Sequence, residues 1–213
     1  MTEISYQILA ELDSYGEELS PRYLSAIRKK DFKEFDLNIE NVKQLLENSA
    51  NCEGGTVFND LGRHISFFPS YNEELSCSIS IKIGNTSPLF NNTVVIDLPY
   101  GHFSGFDSRH EVFENLFKRL ITLFDPFFAF VSNNRQLRDN GYWEKSKPTY
   151  VHWINYYDES TAETIGVKRL VKLDKCDSFN KGYILKLQDV PIDIHNSKHL
   201  EAQQLAGKQL GLL

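Results

Sequence analysis

The clearest pattern in the chain is a strict alternation. Leu75, Cys77, Ile79, Ile81 and Ile83 are separated by Ser76, Ser78, Ser80 and Lys82. A period of two sends one set into a core and the other into water, which predicts an antiparallel strand with one solvated face. Residues 64–68 and the set Val94, Ile96 and Leu98 read as neighbouring strands, and the turn-rich stretch 84–92 supplies a connection. Near the N-terminus Ile4, Tyr6, Ile8, Ala10 and Leu12 also alternate and predict a further strand. Ser20-Pro21 offers an N-cap followed by proline at the first helical position, with Tyr23, Leu24 and Ile27 as a short apolar stripe. Asn38 caps a second helix with Ile39, Val42, Leu45 and Leu46 on one face, and residues 51–55 break it. Ser108 and Glu111 have capping-box spacing. Behind them Val112, Phe113, Leu116, Phe117, Leu120, Ile121 and Phe124 form a wide apolar stripe that predicts a central packing helix. Asp125-Pro126 ends it, and residues 127–131 read as a short buried strand.

The C-terminal third predicts a strand over 149–157, TYVHWINYY, which is unusually rich in aromatic and hydrogen-bonding groups. Alternation sends Tyr150, His152, Ile154 and Tyr156 one way and Val151, Trp153, Asn155 and Tyr157 the other. Both faces are half apolar, so a central strand is expected. Trp153 and Ile154 read as core. Tyr156, Tyr157 and the acidic step Asp158-Glu159, at the strand's exit, read as candidate contacts for a partner. Ser160 and Glu163 repeat the capping-box spacing, and Gly166 ends that short helix. Residues 167–173 and 183–187 suggest a hairpin with Asn180-Lys181-Gly182 in its loop. Asn196 caps a last helix carrying Leu200, Leu205 and Leu210. Runs of strands with interspersed helices argue for an α+β fold, a mainly antiparallel sheet packed against several helices. One domain over 1–213 is expected, with 132–148 as the place for a subdivision.

Composition narrows the functional classes. A hydrophobic share of 41% is enough for a core without disulfides, and Cys52, Cys77 and Cys176 form no CxxC pair. Buried thiols in a reducing cytosol are expected. No apolar run approaches the roughly 20 residues of a membrane span, and the acidic N-terminal stretch does not read as a targeting segment. A net charge of −6 gives neither the basic excess nor the basic stripe of a nucleic-acid binder.

Catalytic and metal templates fit poorly. The loop Gly101-His102-Phe103-Ser104-Gly105 places its serine one residue too late for a nucleophile elbow. A hydrolase or transferase using His102, Ser104 and Asp107 is the alternative enzymatic reading; His102 and Phe103 are also candidate contacts in an exposed loop. His195 and His199 share helical spacing but lack the further ligands that zinc needs. Asp174, Asp177 and Asn180 lack the glycine and glutamate positions of a calcium loop. No cofactor motif and no metal site are expected.

The stretch VHWINYY, leading into a short capped helix, resembles the W-(I/L)-N-Y strand of bacterial immunity proteins from polymorphic toxin systems. The immunity protein 52 family is the nearest likeness; a related type VI secretion immunity family with a GW-L-x-YL strand is also similar, although His152 stands where that pattern has glycine. The upstream helix and its aromatic-Asp-Pro ending, VFENLFKRLITLFDPFFAFVS, resemble theirs as well. The likeness covers residues 112–132 and 149–171, about a fifth of the chain, with Trp153, Ile154 and Asn155 as its structural motif. It implies a cytoplasmic, non-enzymatic α+β protein that binds and neutralises a cognate toxin, and for immunity protein 52 a nuclease. An acidic antidote suits a basic, phosphate-holding surface.

Overall fold

The computed structural model describes residues 1–25, 31–70, 77–98, 110–141, 143–144 and 147–212. Its fold is α+β, with antiparallel sheets and helices packed on them. Contacts divide the chain into two compact units, Met1–Phe124 and Asp125–Leu213. The division falls at the Asp-Pro step that ends a helix, and not within 132–148.

The first unit opens with helix α1 (Thr2–Ser14), followed by β1 (Tyr23–Leu24), β2 (Lys33–Glu34) and α2 (Ile39–Asn48). Next come β3 (Cys52–Glu53), β4 (Thr56–Val57), β5 (Leu61–Phe68), β6 (Ser78–Asn85), β7 (Thr93–Asp97) and α3 (His110–Phe124). Five strands form an antiparallel sheet in the order β2-β1-β5-β6-β7, while β3 and β4 pair separately. At Cys77 and along β6 the alternating pattern does what it predicts: Cys77, Ile79, Ile81 and Ile83 are buried, and Ser78, Ser80 and Lys82 face outward, while Leu75 and Ser76 lie outside the described residues. Ile65 and Phe67 of β5 join them, and Ile8, Leu9, Leu12, Val42, Leu46 and Leu116 from the three helices complete the core. The Asn38 side chain accepts a hydrogen bond from the Asn41 N–H, so it caps α2 as expected. Arg119 of α3 grips Glu11 of α1 with two parallel bonds of 2.8 and 2.9 Å.

Two N-terminal expectations are corrected. The alternating residues 4–12 form α1, not a strand. Ile8, Leu9 and Leu12 are its buried apolar residues, a 3-4 spacing in which Leu9 breaks the alternation and fits only a helix. No helix starts at Ser20-Pro21: Tyr23 and Leu24 pair with Phe68 and Phe67 of β5. A three-residue stripe is too little to nucleate a helix against a sheet edge that offers backbone partners.

The second unit contains β8 (Phe128–Val131), α4 (Asn134–Asn140), β9 (Trp143–Glu144), β10 (Lys147–Pro148) and β11 (Ile154–Asp158). It continues with α5 (Glu159–Ile165), α6 (Val167–Leu170), β12 (Cys176–Phe179), β13 (Gly182–Lys186) and α7 (Ser197–Leu210). Four strands pair antiparallel in the order β12-β13-β11-β8. Tyr157, Ala162, Ile165, Leu170, Leu185, Ala206 and Leu210 pack between the sheet and α5, α6 and α7. β8 is half-buried along its length. Residues 167–170 are helical, not a strand, because Val167 and Leu170 lie one helical turn apart and only Leu170 is fully buried. The hairpin partner of β13 is therefore β12. Asn180, with φ 51°, takes the left-handed position in its tight loop, where asparagine is tolerated. In α7, Asn196 caps as expected and Leu210 is buried, but Leu205 is 59% exposed; Gln203 and Ala206 face the core instead.

Gly182 sits opposite Asp158 where β13 meets β11. A Cβ there would run into the Tyr157 carbonyl oxygen and stand 2.8 Å from the Asp158 Cα. Backbone cannot step aside as a side chain can. Gly182→Ala is expected to cost about 1–3 kcal/mol or more, read as a drop in the denaturant midpoint at constant slope.

Candidate functional site

The aromatic segment enters the sheet later than its alternation suggests. The chain bends at Thr149 and Tyr150, and ladder pairing begins only at Ile154. Residues Tyr150, Val151, His152 and Trp153 are nevertheless buried, so their backbone groups need partners other than a strand. Amide side chains provide them. The Asn155 Oδ1 accepts from the His152 N–H at 2.9 Å, and the Asn155 Nδ2 donates to the His152 carbonyl at 3.0 Å. Gln203 of α7 donates to the Val151 carbonyl at 2.6 Å, and Gln136 of α4 donates to Gln203 at 2.8 Å. The Trp153 carbonyl accepts from the Leu187 N–H at 2.8 Å, and its indole N–H donates to the Gln188 carbonyl at 2.9 Å. Trp153, Ile154 and Asn155 are thus scaffold residues.

Burial also reassigns the tyrosines. Tyr156 and Tyr157 are both 0% exposed, so neither presents a surface to a partner. Tyr157 stacks on Phe128 at 5.6 Å between centroids, and His152 stacks on Phe130 at 4.0 Å. A strand with neighbours on both edges has no solvated face unless a sheet surface is left open, and here the ring stacks close it. Burial raises the Tyr157 phenol well above its usual range. It pushes the His152 imidazole down to about 3, and neither ring nitrogen has a hydrogen-bond partner among the described residues.

What remains accessible is the charge at the exit of β11. Asp158 is half-buried because it caps α5: its Oδ1 accepts from the Thr161 N–H at 2.8 Å. The cap is therefore Asp158 and not Ser160, which lies within the helix. Glu159 and Ser160 are exposed. They line an open cleft of about 400 Å³ with Asp125, Pro126, Asp158, Glu163 and Lys181. Lys181 reaches across from the β12–β13 turn to Asp125 at 2.8 Å, and that bond raises its pKa. Burial, then the charges of Asp125 and Asp158, raises that of the Tyr156 phenol. Four carboxylates against one ammonium make the cleft strongly negative. It suits a guanidinium or ammonium group better than an anion. Of its charged residues the sequence pointed to Asp158 and Glu159. Asp125 and Lys181 were visible only as parts of turns, and the pairing of β11 with β8 and β13 brings them in.

His102, Phe103, Ser104 and Asp107, with the Ser108 cap, lie outside the described residues. The His199 Nδ1 accepts from the Asp193 N–H at 3.1 Å, which accounts for its conformation without a metal. Among the described residues no group of three or more His, Cys, Asp or Glu side chains is placed to hold a metal ion, and no helix is long and apolar enough to cross a membrane. The thiols differ from the expectation of burial: Cys77 is buried, Cys176 half-buried and Cys52 exposed.

Comparison with protein-family models, curated proteins and solved structures finds no match.

Two outcomes test the scaffold. Asn155→Ala leaves the His152 N–H and C=O unpaired in the interior, a loss of at least about 2 kcal/mol. Tyr157→Phe removes a hydroxyl that has no partner among the described residues, so the same unfolding assay should find it neutral or stabilising. The second outcome concerns pH. An unfolded histidine titrates near 6.5, whereas His152 stays neutral down to about 3. Between those values the unfolded chain binds a proton that the folded chain cannot, so stability is full above about pH 6.5 and falls as pH drops through that window. His152→Leu should flatten this slope in denaturant titrations run from pH 7 to pH 4. An unchanged slope would assign the acid loss to other groups.

Proposed function

We propose that this chain is an immunity protein that binds and neutralises a cognate bacterial toxin through a tight protein–protein complex, and that the toxin is a nuclease. The reading is supported by the likeness of residues 112–132 and 149–171 to immunity proteins of polymorphic toxin systems. The observation that carries it to a surface is the acidic cleft of Asp125, Asp158, Glu159 and Glu163. A nuclease must hold phosphates, so its active site is ringed by cations. Carboxylates on the antidote attract those cations at long range, speed the encounter and occupy the place of the nucleic acid. The net charge of −6 acts in the same direction. In this reading Glu159 and Glu163 make the outer contacts. Asp158 contributes its charge while holding the end of α5, and Asp125 exchanges Lys181 for a cation of the toxin. No chemistry is asked of the antidote, so the protein is not an enzyme, and it acts in the cytoplasm, where the toxin would do its damage.

The test is co-expression with the toxin encoded beside it. Growth rescue and a co-purifying one-to-one complex are expected; failure of both would sink the proposal. Glu159→Lys with Glu163→Lys reverses two solvated charges and leaves the Asp158 cap intact. Association measured by stopped flow should slow by about tenfold at low ionic strength, and the difference should shrink once the screening length falls to about 8 Å at physiological salt. An unchanged rate at low salt would remove the cleft from the interface.

A further inference from the structure

The outward face of the five-stranded sheet carries a polar cluster that the proposed function does not use. Pairing of β5 with β6 sets His64 opposite Lys82 and Ser66 opposite Ser80. Their neighbours Ile65, Phe67, Ile79 and Ile81 are buried on the other face, so all four polar side chains project to the same solvated side. Directly opposed Cβ atoms in such pairs stand about 5 Å apart, which makes the cluster a compact square.

The contacts within it are specific. The His64 Nε2 lies 2.9 Å from the Ser80 Oγ and 3.1 Å from the Ser66 Oγ. One ring nitrogen carries at most one proton, so it cannot donate to both hydroxyls. A bare Nε2 has one lone pair, which the two O–H donors share, so both converge on one point. Lys82 adds an ammonium opposite the ring. A protonated ring facing that ammonium across a sheet would be unfavourable unless something negative joined them. Among the described residues neither Lys82 nor His64 has a carboxylate at ion-pair distance, although the chain has 29 acidic residues. Partial burial, and then the charge of Lys82, lowers the His64 pKa. Lys82 is the charged group that acts on the ring from β6; on β7, Thr93 stands on the far side of Lys82, and the carboxylate of Asp97 lies further along the same face, opposite Ser78.

We propose that His64, Ser66, Ser80 and Lys82 form a binding site for a tetrahedral oxyanion, a phosphate or a phosphate monoester. Protonation is the trigger. Once Nε2 carries a proton it donates to a serine Oγ within reach, and both hydroxyls lose their acceptor and are free to turn their O–H groups outward. The two freed O–H groups, the imidazolium charge and the facing Lys82 then share one polar patch. A phosphate has the acceptor oxygens and the negative charge to meet all of them, and its charge reverses the repulsion between Lys82 and the ring. Binding and protonation of His64 are thermodynamically linked, so the anion binds more tightly as pH falls through the histidine range.

The experiment follows the His64 ring protons by NMR in the full chain, titrated with pH in sodium chloride, in inorganic phosphate and in O-phosphoserine at matched ionic strength. The His64 pKa is expected to rise by about one unit in a phosphate arm, equivalent to roughly tenfold tighter binding to the protonated ring. A larger rise with O-phosphoserine identifies a monoester as the ligand, and an equal or smaller one identifies the free anion. Lys82→Gln and the double variant Ser66→Ala, Ser80→Ala change only outward-facing side chains, and each should abolish the rise while leaving the remaining amide spectrum in place. The proposal is overturned if both phosphate arms match chloride, or if the variants show the same rise as the parent chain.

Discussion

The second unit depends on buried carboxamides taking the place of a β-ladder. Residues 150–153 run through the interior before the chain reaches β11, and an unpaired backbone group there costs about 1–3 kcal/mol. Asn155 closes a ring with both polar groups of His152, and Gln203, braced by Gln136, holds the carbonyl of Val151. These amides reach from α4, α7 and β11 to one stretch of chain. Losing one would disturb several elements together, because each sits in low dielectric, where a broken hydrogen bond is costly.

This arrangement separates the aromatic load of the segment from recognition. Trp153, Tyr156 and Tyr157 are large because they fill the interior around a central strand. The surface next to them is built from short acidic side chains at a strand end, a helix start and a hairpin turn, where binding residues usually sit on a rigid scaffold. The first unit divides its labour differently. Its sheet buries one face under α1, α2 and α3 and leaves the other polar, so side chains on β5 and β6 meet in the open.

How much could be read from the residues varied with how far their pattern depended on distant chain. The alternation on β6, the Asn38 cap, the Asn196 cap and the stripe of α3, apart from the exposed Val112, are local, and each appears where it was expected. Residues 4–12 went astray because a five-point alternation also samples one helical face, and Leu9 was the residue that decided between them. Residues 20–27 and 167–173 had short apolar sets that tertiary pairing could claim either way. The acidic cleft was half legible. Asp158 and Glu159 drew notice as neighbours, but Asp125 and Lys181 are 56 residues apart in sequence and meet only through the sheet. Asn155 was expected as part of a structural motif, but its bonds to His152 were hidden, since alternation assigns a face and not the hydrogen bonds a side chain makes.

The three thiols of the chain stand in three different surroundings. Burial raises Cys77 to about 12 and Cys176 to about 11, so both remain protonated and unreactive at neutral pH. Cys52 lies exposed on the β3–β4 hairpin of the first unit. Under mild oxidation two copies would therefore join through Cys52 before either of the other thiols engaged. The same contrast gives the protein a natural attachment point: a maleimide dye or spin label would mark one position on the first unit without any cysteine having to be removed.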